Sequence, residues 1–91
     1  MWENGILYLN SDKYFYSVKV YDEPSKFGID GGRISKLEIR DKDMNLIIGY
    51  DRGDWWLGSK EQYSDYTIDL ILKTPSIKEL LRQVKDKYKE A

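Results

Sequence analysis

The sequence predicts an α+β domain built in two layers, a four-stranded antiparallel β-meander followed by two C-terminal helices in the order ββββαα. Apolar residues alternate with a period of two through the first half of the chain, which is typical of strands with one buried face. Towards the C-terminus the spacing changes to that of an amphipathic helix. The length of 91 residues suits one domain, so we expect residues 1–91 to form a single α+β unit.

The first two strands are predicted to form a hairpin. Residues 6–9 alternate between two faces, and residues 14–21 form a run rich in aromatic and β-branched side chains. Between these runs, Asn10, Ser11 and Asp12 form a turn cluster, since their side chains hydrogen-bond to nearby backbone groups. A short turn of this kind joins neighbouring antiparallel strands.

Two more strands are expected after a loop at residues 22–32. Pro24 ends the pairing because it has no N–H group to donate, and the loop is rich in glycine. Residues 34–40 then alternate cleanly, and residues 44–50 follow a turn at Asp41–Asp43. Short connections again favour neighbouring strands, which completes a four-stranded meander.

Two helices are predicted to supply the second layer. Ser59 and Gln62 have the spacing of a capping box, so we expect a first helix from Ser59 to about Lys73. Pro75 suits the first position of a second helix, whose apolar residues recur with helical spacing. The sequence does not say which sheet face the helices cover, and an aromatic face left open would favour a homodimer.

The absence of His and Cys excludes several chemistries. Neither a Ser-His-Asp nor a Cys-His nucleophilic site can be built, and zinc sites of the Cys/His type are also excluded. We therefore expect no catalytic residues, no metal and no cofactor, and a protein that is not an enzyme.

The composition favours the cytoplasm. The absence of Cys suits a reducing compartment. We also expect no signal peptide and no membrane span, since the longest apolar runs cover only a few residues.

The net charge of −1 argues against a nucleic-acid partner, since such binders usually carry an excess of basic residues. RNA binding on a polar sheet face is a weaker alternative, because that face would combine aromatic and basic residues. Its residues would be Phe15, Lys19, Tyr21, Lys36 and Arg40.

Two near-motifs are better explained by structure. Asp41, Asp43 and Asn45 begin like a calcium-binding loop, but Leu46 replaces the required Gly and Arg52 the required Glu, which favours a hairpin turn. Asp51 and Asp54 could act as paired carboxylates, but we expect them to be solvated or paired with arginine.

The segment from Tyr50 to Gly58 is the main candidate interaction site. It is interpreted as a loop, and it combines Trp55 and Trp56 with Arg52 and Asp54. Adjacent residues in an extended segment point in opposite directions, so one Trp can pack inward while the other faces out. The alternative is that both tryptophans fill the open end of a small core. An exposed Trp beside an Arg is typical of an interface hot spot. Phe27 and Arg33, from the preceding long loop, complete the candidate set.

The alternative site is a small-ligand or nucleotide pocket formed by Gly31, Gly32, Arg33 and Arg52. Glycines expose backbone N–H groups as phosphate-binding loops do, although the spacing of a P-loop is absent and no helix follows. In this interpretation the protein sequesters a ligand and does not transform it.

Two segments resemble a family of small uncharacterised proteins from Gram-positive bacteria and their phages. They read FGIDGGRISKL at residues 27–37 and YDRGDW at residues 50–55, and the resemblance extends over residues 14–57. It implies a bacterial or phage cytosolic context. The small size, the missing catalytic motifs and the aromatic-rich loop favour a small non-enzymatic protein-interaction module, such as a phage or mobile-element accessory protein that acts on a host or phage protein.

Overall fold

The structure, a computed structural model, describes residues 2–57 and 72–88, with Leu57 described by its backbone only. These residues form one antiparallel sheet and one α-helix, which confirms the α+β class. The strands are β1 (Trp2–Leu9), β2 (Asp12–Val20), β3 (Ile34–Arg40), β4 (Leu46–Asp51) and β5 (Asp54–Leu57), and the helix is α1 (Pro75–Lys87).

The sheet is a meander in which every strand pairs with its neighbour in sequence. The strand order is β1-β2-β3-β4-β5, and all four pairings are antiparallel. Two register shifts interrupt the ladder, one between Lys19 and Val20 and one between Ile39 and Arg40. Short connections between successive strands favour this topology.

The prediction of four strands was wrong, because β5 lies in the segment that the sequence analysis assigned to a loop. Arg52 and Gly53 form a two-residue turn with φ angles of 45° and 106°. That turn closes a hairpin between Asp51 and Asp54. Two consecutive residues with positive φ give the twist that matches paired strands, so the chain turns back into the sheet.

The two helical predictions have different outcomes. The helix predicted from Pro75 is confirmed as α1, with Thr74 at its N-cap and Pro75 in its first turn. The helix predicted from Ser59 to Lys73 falls almost entirely on residues 58–71, outside the described residues. The order ββββαα is thus replaced by five strands and, in the described ranges, one helix.

A single core lies between α1 and one face of the sheet, which we call the inner face. Strand residues alternate, so each strand contributes every second side chain to this core. The buried inner-face residues are Leu7, Tyr16, Val18, Leu37, Ile39, Ile48 and Tyr50, and those of α1 are Ile77, Leu80, Leu81 and Val84.

The opposite side of the sheet, which we call the outer face, is not covered by α1. The strand register gives the rows of side chains on this face. In one row, Trp2 lies across from Lys19, Lys19 from Lys36, Lys36 from Asp51, and Asp51 from Asp54. The remaining outer-face positions are Asn4, Ile6, Tyr8, Lys13, Phe15, Ser17, Glu38, Arg40, Gly49 and Trp56.

Candidate functional site

The two adjacent tryptophans of β5 lie on opposite faces of the sheet, as strand alternation predicts. Trp55 lies on the inner face, where its ring centroid is 4.6 Å from that of Tyr50 and its side chain packs against the core. Trp56 lies on the outer face, directly across from Gly49. A Cβ atom at Gly49 would lie 2.3 Å from Trp56 Cε2, so a larger residue at that position would clash with the indole in its present orientation.

Arg52 and Asp54 extend the outer face towards the turn between β4 and β5. Arg52 Nε donates to Asp51 Oδ1 at 3.0 Å, and Lys36 Nζ lies 3.9 Å from Asp51 Oδ2. Asp51 therefore already has two basic partners. Asp54 is its cross-strand neighbour, so the two residues lie side by side, Asp51 half-exposed and ion-paired and Asp54 exposed.

Phe27 and Arg33 lie in the long loop between β2 and β3 and are not part of the outer face. The Phe27 ring is 51% exposed, with Lys26 Nζ 5.1 Å from its centroid. Its carbonyl accepts a 2.8 Å hydrogen bond from the Tyr50 hydroxyl, which ties the loop to the strand beneath Trp55. Arg33 Nε donates to the Tyr21 carbonyl at 3.0 Å and closes the loop base.

The structure therefore divides the predicted interaction residues into two groups. Trp56 and Asp54 share the outer face, while Trp55 packs beneath it on the inner side. Phe27 and Arg33 belong to the loop at residues 22–33. The Tyr50 hydroxyl, on the inner face, donates to the Phe27 carbonyl and so connects the loop to β4. Burial of the Tyr50 side chain raises the pKa of its phenol.

The glycine-rich loop uses its backbone N–H groups internally. Gly28 donates to Ser25 O at 2.9 Å, Gly31 to Gly28 O at 3.1 Å and Gly32 to Ile29 O at 2.9 Å. These bonds form one turn of 3₁₀ helix at Ile29–Gly31. Because these donors are already engaged, they are not directed at a phosphate in the way that a phosphate-binding loop requires.

A concave pocket nevertheless lies between this loop and the C-terminal end of α1. Its volume is about 530 Å³, within the range typical of small-ligand sites. Gly32 and Arg33 from the alternative ligand site line it, whereas Gly31 and Arg52 do not. The helix adds Arg82 and Lys85, which sequence reasoning missed because they read as the solvated face of an amphipathic helix.

Two of the three basic side chains that line this pocket, Arg82 and Lys85, have acidic partners. Lys85 Nζ lies 2.8 Å from Asp30 Oδ2. Arg82 forms ion pairs with Glu79 at 2.6 Å and Asp86 at 2.7 Å. A ligand would therefore meet a mixed lining with both charges.

The outer face carries an apolar strip that the sequence analysis did not single out. Trp2, Ile6 and Tyr8 are 44%, 43% and 60% exposed and occupy alternate positions of β1. Phe15 is half-exposed and lies directly across from Ile6. The strand alternation was the available signal, but it could not tell which face α1 would cover.

The calcium-like motif forms a turn. Asp41 Oδ1 accepts from the backbone N–H groups of Asp43 and Asn45, both at 2.9 Å. These bonds lower the pKa of Asp41, the bond from Asn45 contributing most. Across residues 2–57 and 72–88, no three carboxylates cluster closely enough to hold a metal ion.

Within the described ranges, no helix has the length and apolar character needed to cross a membrane.

Comparison with known proteins identifies a family without an assigned activity. No curated protein and no solved structure matches the chain. A family model described as a domain of unknown function, DUF7678, matches residues 1–75, which span the whole sheet and end where α1 begins. Because that match covers most of the chain, the protein belongs to the DUF7678 family.

Proposed function

We propose that the chain is a non-enzymatic protein-interaction module that binds its partner through the outer face of the sheet. The observation that carries this proposal is the apolar strip of Trp2, Ile6, Tyr8 and Phe15. Single exposed apolar residues are normal on protein surfaces, but contiguous ones mark interaction sites. Here Ile6, Tyr8 and Phe15 are neighbours on one face of two paired strands, and Trp2 lies on the same face beyond Asn4.

The strip has the composition of a binding surface. Aromatic residues are enriched at interface cores because they bury a large area at little cost in rotamer entropy. Trp2 and Tyr8 also have a polar group at the ring edge, so they can bind both apolar and polar atoms of a partner. Trp56 and Asp54 lie on the same face across the sheet and extend it.

The charges of the outer face indicate the orientation of the partner. Lys13 lies next to the strip, with its Nζ 5.3 Å from the Phe15 centroid, and Lys19 lies across from Trp2. Asp51 and Asp54 lie on the same face but at the other edge of the sheet, on β4 and β5. A partner with an apolar patch and acidic side chains facing β2 would complement this pattern.

Site-specific photocrosslinking in cells of the source organism tests the proposal. A photoreactive phenylalanine analogue replaces Tyr8, and the matched control replaces Met44, which is equally exposed in the turn between β3 and β4. We expect one discrete protein crosslinked from position 8 and not from position 44. Identical crosslinking patterns from the two positions would contradict an outer-face site.

The proposed biological setting follows from the family resemblance. Gram-positive bacteria or their phages would supply a cytoplasmic host or phage protein as the partner. A crosslinked adduct whose mass matches such a protein supports this setting, whereas an extracellular or membrane-embedded partner contradicts it.

A second candidate function is binding of a small ligand in the pocket beside Arg33. It is supported by the pocket volume of about 530 Å³ and by the basic groups Arg33, Arg82 and Lys85 in its lining. A ligand that binds only the folded protein raises its stability. We expect nucleoside triphosphates or inorganic phosphate to raise the melting temperature, and Lys85→Ala to abolish the increase. An unchanged melting temperature at millimolar ligand would contradict this function.

A further inference from the structure

The free edge of β1 has backbone groups that point away from the sheet. Asn10 and Ser11, with φ angles of 50° and 73°, form a two-residue turn that closes on the pair Leu9 and Asp12. In such a hairpin the closing pair is hydrogen-bonded, and the bonding direction alternates along the strand. The residues with odd numbers in β1 therefore bond to β2, and those with even numbers direct N–H and C=O outward.

One observed contact confirms this direction. Gln83 Nε2, on α1, donates to the Tyr8 carbonyl at 2.9 Å. The Tyr8 carbonyl must therefore point out of the sheet, and by alternation so must those of Trp2, Asn4 and Ile6. Among the hydrogen bonds of the described residues, this one from Gln83 is the only one that a side chain makes to the β1 backbone from outside the sheet.

β1 has few of the features with which proteins protect an edge strand. Protected edges carry Pro, Lys, a bulge or an inward-pointing charge, are very short, or are covered by a helix or loop. Of these, β1 has Glu3 on the inner face and the contact of Gln83 with the Tyr8 carbonyl. β1 is eight residues long, has no Pro or Lys, and carries Glu3 as its single charge. The two register shifts of the sheet lie elsewhere, at Lys19/Val20 and Ile39/Arg40. The opposite edge strand, β5, has four residues and includes Asp54.

The segment from Trp2 to Ile6 is complementary to itself when two copies run antiparallel. A two-fold axis at Asn4 pairs Trp2 of each copy with Ile6 of the other and Asn4 with Asn4, and each of these pairs can exchange two backbone hydrogen bonds. On the outer face Trp2 then lies against Ile6 of the second copy. On the inner face Glu3 lies opposite Gly5, so no like charges face each other directly.

The neighbouring register is less favourable. An axis centred on Gly5 would require the Tyr8 carbonyl as an acceptor, and Gln83 already binds that carbonyl. The register centred on Asn4 uses only backbone groups that have no partner in the described part of the chain.

We propose that the protein forms a two-fold symmetric homodimer in which the β1 strands of two copies pair antiparallel, centred on Asn4. The two five-stranded sheets then form one continuous sheet, with both copies of α1 on the same side. The apolar strips of the two outer faces meet at the axis and form one larger surface. This inference rests on the strand edge and does not depend on the proposed function of the outer face.

A single engineered cysteine tests the pairing, because the natural chain has none. In the proposed register the Cα atoms of the two Asn4 residues lie about 5.5 Å apart, within the range of a disulfide. Asn4→Cys should give a disulfide-linked dimer under mild oxidation. The matched control is Tyr8→Cys, which points to the same face but lies beyond the paired segment, so it should form no disulfide-linked dimer. Equal crosslinking of both variants would overturn the register.

A second pair of variants tests the backbone bonds themselves. Asn4→Pro removes the outward N–H group and is tolerated in an edge strand, whereas Asn4→Ala keeps that group. Both lose the 2.6 Å hydrogen bond that Ser17 Oγ donates to Asn4 Oδ1. By light scattering we expect dimers for the natural protein and Asn4→Ala, and monomers for Asn4→Pro. A monomeric natural protein at hundreds of micromolar, or a dimeric Asn4→Pro, would overturn the proposal, and the cysteine test decides if Asn4→Pro does not fold.

Discussion

Replacing Gly5 with alanine tests how the inner face is packed. Gly5 pairs with Tyr16, whose ring crosses the glycine and is 7% exposed. A Cβ atom at position 5 would lie 2.4 Å from Tyr16 Cε1, Cζ and Oη. The ring cannot move away freely, because Tyr88 packs against it edge-to-face with centroids 6.4 Å apart.

The size of the effect follows from two opposing contributions. Overpacking a core costs about 1–3 kcal/mol. Alanine in a strand is favoured over glycine by about 0.5–1 kcal/mol. We expect a net loss of about 1–2 kcal/mol in the free energy of unfolding, which lowers the melting temperature by about 4–16 °C in a domain of this size. Urea and thermal denaturation followed by circular dichroism measure it.

A double-mutant cycle with Tyr16→Leu separates the clash from other effects. Leucine lacks the ring that meets position 5, so in that background Gly5→Ala should stabilise the fold by about 0.5–1 kcal/mol. The sign of the Gly5→Ala effect should therefore reverse. The same loss of stability in both backgrounds would refute the idea that the Tyr16 ring is what requires glycine.

Gly49→Ala is the matched control on the outer face. Its Cβ would lie 2.3 Å from Trp56 Cε2, a contact as close as that at Gly5. Trp56 is only half-buried, so the indole can rotate away and relieve the clash. We expect a smaller loss of stability than for Gly5→Ala, and a larger one would mean that the outer face is packed as tightly as the core.

Three further predictions concern the tryptophans and the titrating groups. Trp55→Ala should lower the unfolding free energy by about 2–4 kcal/mol because Trp55 packs on Tyr50, whereas Trp56→Ala should cost less than half as much; chemical denaturation of both variants tests this. The pKa of Asp41 is lowered in the folded protein, so its stabilising contribution is complete above its unfolded pKa of about 4 and is lost as pH falls through its folded pKa. Asp41→Asn should therefore reduce the acid-side decrease in the free energy of unfolding when that free energy is measured against pH. Burial raises the pKa values of Tyr50 and Tyr88, so their contribution is complete below about pH 10 and is lost as pH rises through the folded values; Tyr88→Phe should reduce alkaline unfolding.

Much of the fold could be predicted because its signals are local. The third strand was predicted at residues 34–40, and β3 is Ile34–Arg40. The helix from Pro75 was predicted from apolar residues at helical spacing, of which Ile77, Leu80, Leu81 and Val84 are buried. In both cases the period of burial is set by the element itself.

β5 and the first half of β1 were not predicted, because each contains or follows a glycine that reads as a break in a strand. Gly5 looks like a strand breaker in sequence, but it makes room for Tyr16. Gly53 looks like part of a loop, but with Arg52 it forms a tight hairpin turn. Residues 51–54 form the turn in which Asp51 pairs with Asp54. A glycine at the second turn position is the sequence signal of a hairpin, but the charged residues around it favoured a loop in the sequence analysis.

The candidate site was predicted in part. Alternation correctly indicated that Trp55 and Trp56 point in opposite directions. The exposure of Trp2, Ile6 and Tyr8 was not foreseen, because it depends on which face α1 covers, and that is decided by packing of the whole chain.

The central claim is that the outer face of the sheet is the binding surface. The most direct test is the affinity of the Tyr8→Ala variant for the partner that photocrosslinking identifies. Tyr8 is the most exposed residue of the apolar strip and lies outside the strand segment proposed to form the homodimer. Truncating a hot-spot tyrosine costs at least about 2 kcal/mol, so we expect binding at least about thirtyfold weaker with an unchanged unfolding midpoint. Unchanged affinity in a folded Tyr8→Ala variant would contradict the assignment of the outer face as the binding surface.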